Sequence, residues 1–159
     1  MTSPNQLDRL LKLRQQRTRL AEQALTRARQ RCQEIDERSR RLIAEQNFHR
    51  QRADEHDDHL FETARQPLSV FHLEQWQNAR ADVDEFRADL EQQQQRCHDE
   101  ASLAEQEREA RAREWSRQLR AQKALERLQA RHRQTALTNA EHLAELEMEE
   151  SHSGGRFRQ

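Results

Sequence analysis

Between Pro4 and Gly154 the chain has one proline, Pro67, and no glycine. Reversals of chain direction rely on those two residue types and on short polar clusters, so a body with a single breaking signal is built to turn once. Everything else must be long regular structure. Ala, Glu, Lys, Leu and Arg supply 85 of the 159 residues, the composition of long helices. Leu, Ile, Val and Phe number 27, too few to fill a globular core of this length but enough for a narrow apolar seam between two helices. The 28 basic and 29 acidic residues nearly cancel, unlike the charge balance of a disordered chain.

The same composition excludes several activities. A phosphate-cradling loop needs glycines that the body of the chain lacks. No run approaches 18 apolar residues, so membrane insertion is not expected, and the first residues lack the apolar stretch of a signal peptide. The expected compartment is the cytoplasm, where Cys32 and Cys97 stay reduced.

The periodicity predicts where the helices lie. Ser3 caps, Pro4 takes the first helical position, and Gln6 completes a Ser-x-x-Gln capping box. One row of a heptad seam then holds Leu7, Arg14, Ala21, Ala28, Ile35, Leu42, His49 and His56. Its partner row holds Leu11, Thr18, Leu25, Cys32, Ser39, Gln46, Ala53 and Leu60. Pro67 ends this helix, giving a first helix over about 4–62 and a turn over about 63–69. Ser69 is placed to cap a second helix over about 70–149, with Leu68 and Leu73 as its staple. The second seam runs Leu73, Trp76, Ala79, Val83, Phe86, Leu90, Cys97, Ala101 and Ala104. It is expected to weaken over 91–114, where Gln92, Gln93, Gln94 and Gln95 intrude, and to resume, rotated, at Trp115, Leu119, Leu125, Leu128, Ala136, Leu143 and Leu146. That polar stretch is expected to pack more poorly, with faster amide exchange, than the seam near Trp76.

The predicted fold is therefore all-α: a long antiparallel two-helix coiled-coil hairpin with unequal arms over 1–150, then a disordered tail over 151–159. The helices are roughly 85 and 120 Å long at the α-helical rise. Folding about residue 66 leaves the second helix overhanging by about 20 to 25 residues. Charge is segregated along this hairpin: residues 1–52 carry net +7, 53–62 net −5, 63–110 net −6, 111–133 net +6 and 134–150 net −5. A positive and a negative pole imply two different docking partners.

Individual motifs have plain structural readings. Cys32 and Cys97 are small seam residues, and no further ligands gather near them. His56-Asp57-Asp58-His59 spaces its histidines at i, i+3, so it reads as a solvated acidic face and no metal is expected. The arginine-rich stretches Arg27-x-Arg29-x-Arg31 and Arg111-x-Arg113 read as solvated faces among many acids, not as nucleic-acid contacts. No catalytic constellation and no cofactor site is arguable, so no enzymatic activity is expected. Five of the seven aromatics, Phe48, Phe61, Phe71, Trp76 and Phe86, lie in the half of the hairpin nearest the turn. Phe48 falls off the seam, as a partner-facing anchor does.

The stretch Leu10-x-x-Leu13-Arg14-x-x-Arg17-x-x-x-Ala21-x-x-Ala24-Leu25 resembles the opening of the YscO proteins of injectisomes. Leu60-Phe61-Glu62 followed by Leu73-Glu74-x-Trp76-Gln77 matches that family's turn region. Leu42-Ile43-x-x-Gln46-Asn47-x-x-Arg50 is similar to a stretch of the flagellar FliJ proteins. Together these resemble the YscO/FliJ-type central stalk proteins of type III secretion, nearer the injectisome branch, because Glu45 and His49 stand where flagellar relatives carry aromatics. The resemblance implies a monomeric stalk whose terminal ends enter a hexameric type III ATPase, which contacts the cytoplasmic domain of the export gate protein and recycles export chaperones. It implies a cytoplasmic location, peripherally attached to the inner-membrane export apparatus. By analogy the ATPase contact falls on Arg9, Lys12, Arg14, Arg17, Arg117, Arg120, Lys123 and Arg127. The gate contact falls near the turn, on Leu42, Phe48, Phe61, Phe71 and Trp76. Two other classes compete: a generic coiled-coil scaffold that homodimerises, and a nucleic-acid-binding helical arm.

Overall fold

The computed structural model describes residues 3–63 and 70–156, apart from the side chains of Phe61, Thr63 and Arg156. They form two helices, α1 over Pro4–Thr63 and α2 over Val70–Arg156, packed against each other as an antiparallel hairpin. The start of α1 is the capping box read from the sequence. The Gln6 main-chain N–H donates to Ser3 Oγ at 3.3 Å, and the Ser3 N–H donates to Gln6 Oε1 at 3.1 Å. Two amides that no earlier turn can satisfy are thereby bonded, and the Leu7 N–H closes the first turn on the Ser3 carbonyl at 3.0 Å. The turn, Leu68 and the Ser69 cap fall within 64–69, outside the described residues.

Of the tail expected over 151–159, residues 151–156 are helical and 157–159 lie outside the described residues. α2 does not stop near 149 but continues to Arg156. Ser151 Oγ donates to the Met148 carbonyl at 2.8 Å and Ser153 Oγ to the Glu150 carbonyl at 3.0 Å, each back-bonding onto the preceding turn. Neither Gly154 nor Gly155 takes a positive φ, so neither ends the helix.

The packing divides into two compact units, Met1–Ala24 with Arg111–Gln159, and Leu25–Ala110. The second holds the core: Ile35 and Leu42 of α1 against Leu90, Cys97 and Ala104 of α2, with Cys32 and Ala101 packed beside them. The Cys97 thiol donates to the Ile35 carbonyl at 3.5 Å, where folding about residue 66 places it. Longer polar side chains reach partners about one to two turns further along α2. Arg38 meets Glu100 at 2.9 Å, Gln46 accepts from Gln94 at 2.6 Å, and Arg80 meets Asp57 at 3.1 Å. Both cysteines are free thiols, and Cys32 turns toward Glu105.

In the other unit Leu7 and Thr18 are buried, with Leu11, Arg14 and Ala21 half-buried on α1 and Trp115, Leu119, Gln122, Leu125 and Gln129 half-buried on α2. Thr18 tolerates burial because its Oγ1 donates to the Arg14 carbonyl at 3.0 Å. Of the sixteen α1 seam positions read from the sequence, His56 alone is exposed; Asp57 turns inward in its place to reach Arg80.

The expected weak stretch of α2 is not weak. Through 91–114 a continuous inward row runs Gln94, Cys97, Ala101, Ala104, Arg108 and Ala112 in steps of three or four, with Glu100 and Glu114 half-buried at its edges. Cys97 and Ala104 are buried, because small side chains let the backbones approach, and Gln94 is satisfied by Gln46 across the seam. The poorly packed stretch is instead the one near Trp76: Leu73, Val83 and Phe86 are exposed, and of the described side chains over 70–89 Trp76 alone is half-buried. α1 offers His49, Ala53 and Asp57 there, too small or too polar to cover an aromatic face.

Ile35 is 2% exposed. Truncating it as Ile35→Ala is expected to cost about 2–4 kcal/mol in denaturant unfolding. Leu73→Ala is expected to cost less than about 1 kcal/mol in the same assay.

Candidate partner-binding surfaces

Two surfaces gather the residues singled out by sequence, one in each unit. In the first, α1 residues 4–24 carry net +3 and α2 residues 111–133 net +6. Arg9, Lys12, Arg17, Arg117, Arg120, Lys123 and Arg127 are exposed; Arg14 is half-buried in the seam. Arg117 bonds Glu114 one turn back, and Arg120 donates to the Ser116 carbonyl at 3.4 Å and to Ser116 Oγ at 3.3 Å. Such contacts along one helix align the guanidinium groups on its surface without burying them, so their charge stays available to an acidic partner. Glu114 itself is held below the ordinary glutamate range, first by the Gln118 amide donating at 2.9 Å and then by Arg117 and Arg111.

The second surface is aromatic. Trp76 is half-buried and carries the Arg80 guanidinium 5.6 Å from its ring centre, while Arg80 also pairs with Asp57. His49 lies against Phe86 with ring centroids 4.0 Å apart. A cavity of about 310 Å³ opens beside Trp76, lined by His49, Ala53, Asp57, Arg80 and Val83 among others. A second of about 330 Å³ lies between Gln46, Val83, Phe86 and Leu90. Phe48 is exposed, edge-on to His49 and under the Arg52 guanidinium at 5.6 Å. Phe71 is exposed and edge-on to His72.

Leu42 does not belong to this surface. It is 8% exposed and packs within the core of its unit, so it supports the hairpin instead of meeting a partner. The Phe61 side chain lies outside the described residues. Sequence reasoning also passed over the Asp57–Arg80–Trp76 cluster. Its signal was present in the i, i+4 spacing of Trp76 and Arg80, which sets a cation over a ring on one helix face.

In chemistry the two surfaces offer charge and aromatic area. Among the described residues no helix is long and apolar enough to cross a membrane. Compared with known proteins, the chain matches no family model, no curated protein and no solved structure.

Glu105 resembles Glu114: a hydrogen bond from Arg108 holds its carboxyl below the ordinary glutamate range. Both groups bind protons more weakly in the folded chain than in the unfolded one. Their contribution is therefore full above the ordinary glutamate value, about 4.3, and is lost as pH falls through the lower folded values. Helical circular dichroism followed in denaturant against pH should show the Glu105→Gln, Glu114→Gln double variant losing less stability below pH of about 4 than the parent. Parallel acid limbs for the two proteins would contradict that assignment.

Proposed function

We propose that this chain is a cytoplasmic stalk and escort component of a type III secretion ATPase complex. It joins the hexameric ATPase to the cytoplasmic domain of the export gate protein, assists recycling of export chaperones, and sits peripherally on the inner-membrane export apparatus. The observation that carries the reading is the basic surface built by α1 residues 4–24 and α2 residues 111–133, coinciding with the segment whose sequence resembles the opening of YscO proteins. A hairpin with few apolar anchors and an exposed positive surface suits docking into an acidic channel, since complementary potential governs encounter and orientation. One chain occupies the ring axis, and the chain itself performs no chemistry. The gate contact falls on Phe48, Phe71 and Trp76: Trp76 lines the first cavity, and Phe48 and Phe71 present exposed aromatic area. Aromatic anchors next to concave surface are what binding hot spots use.

Titrating the partner ATPase with the chain is expected to give saturable stimulation of ATP hydrolysis. Reversing Arg117, Arg120, Lys123 and Arg127 to Glu should weaken half-saturation by about tenfold or more. An active ATPase left unstimulated by a folded chain, together with no binding to gate domain or chaperones, would contradict the proposal. Phe48→Ala with Trp76→Ala should weaken gate-domain binding by about 2 kcal/mol, some thirtyfold, in calorimetry while sparing stimulation. Unchanged binding would remove the aromatic surface from the gate contact.

A further inference from the structure

Past Gln129 every α2 residue from 130 to 155 is exposed, so among the described residues nothing lies opposite this extension. It nevertheless keeps an apolar stripe. Ala136, Ala140 and Leu143 follow Gln122 and Gln129 at seam spacing, with Leu137, Ala144 and Met148 alongside. Leu137 is 65% and Leu143 60% exposed. The same unit has a second uncovered stripe on α1. Leu10, Leu13 and Leu20 share a face about a third of a turn from the seam and are 43–55% exposed.

The two stripes are opposite in charge. Residues 134–150 hold five glutamates and no Lys or Arg, with Glu147 within the stripe and Glu141 and Glu150 beside it. Residues 4–24 hold five basic and two acidic groups, with Arg9 and Arg17 along the leucines. We propose that two copies of this chain pair through these surfaces, the α2 extension of each lying on the α1 leucine stripe of the other.

Three observations fix the second copy as the occupant. The extension continues an existing interface, the α1–α2 seam, so a helix laid on it completes packing that α1 leaves unfinished. Its charge selects a basic helix: pairing extension with extension would oppose two surfaces of net −5, whereas the α1 stripe brings arginines. The spacing closes on itself. Asp8 bonds Gln129, which sets the first turn of α1 level with about residue 133. From that level the α1 stripe starts about six residues inward and the extension's stripe about four residues outward, and each runs roughly 15 Å. A two-fold axis at that level therefore lays each stripe on the other copy's counterpart, giving two identical contacts and a closed dimer. Pairing covers part of the basic surface assigned above to the ATPase, so dimer and ring-bound chain are mutually exclusive. The inference does not depend on that assignment, because it concerns the free chain alone.

Analytical ultracentrifugation of the full chain tests it. A reversible step from 19.1 kDa to twice that mass with rising concentration is expected, weakening as salt is added. Leu137→Ser with Leu143→Ser, both on the exposed extension, should keep the helical signal and lose the dimer. Glu141→Lys with Glu147→Lys should weaken it by about tenfold, and adding Arg9→Glu with Arg17→Glu to that variant should restore it. A parent chain that stays monomeric at every concentration overturns the proposal. So does a dimer that survives both extension variants, or a higher assembly in place of a closed pair.

Discussion

The close approach of two helices around Cys97, Ala101 and Ala104 is the contact on which this structure depends. Small residues there let Ile35 and Leu42 insert against α2 with almost no area left to solvent. Few other places in the chain bury apolar surface so completely, and long helices in water are held mainly by such packing. Cross-helix ion pairs contribute less. Arg38–Glu100 and Asp57–Arg80 are both substantially exposed, and pairs of that kind are worth about 0–1 kcal/mol. Their value lies in choosing a register, since a slipped seam would part Arg38 from Glu100 and Asp57 from Arg80.

The densest buried apolar cluster occupies one stretch of seam, and elsewhere much apolar and aromatic area stays exposed. Near Trp76 the α2 face is larger than its α1 counterpart can cover, and cavities with aromatic walls result. In the unit of Met1–Ala24 and Arg111–Gln159 the seam is thin, the surface is basic, and α2 continues beyond α1 with leucines in solvent. These features leave apolar and aromatic area in solvent. The proposed docking surfaces rest on that exposed area.

Much of this was legible in the sequence because heptad spacing is geometric. The capping box, both helices, the single reversal, the α1 seam and the overhang of α2 follow from residue type and position alone. Three things did not. The stretch 91–114 reads as polar, but packing depends on which residues point inward, and those are small or mutually bonded: Gln94 finds Gln46. Trp76 and Phe86 read as strong anchors, yet an anchor buries only if the facing residues fill the space, and His49, Ala53 and Asp57 do not. Leu42 carried a family likeness toward a partner surface, while its place in the seam assigns it to the core. Of the candidate site, the cations were legible because charged side chains stay outside almost regardless of packing. The aromatic surface was legible only in part, because it depends on what α1 fails to cover.

Residue-resolved amide hydrogen exchange along α2 tests the central claim most directly, since protection reports the local free energy of opening. Protection should peak between Leu90 and Ala104, fall over 70–86, and be least over 130–155, where no described residue lies opposite, at concentrations that keep the chain single. A maximum around Trp76, or even protection along the whole of α2, would show that the small-residue seam is not what holds the hairpin together.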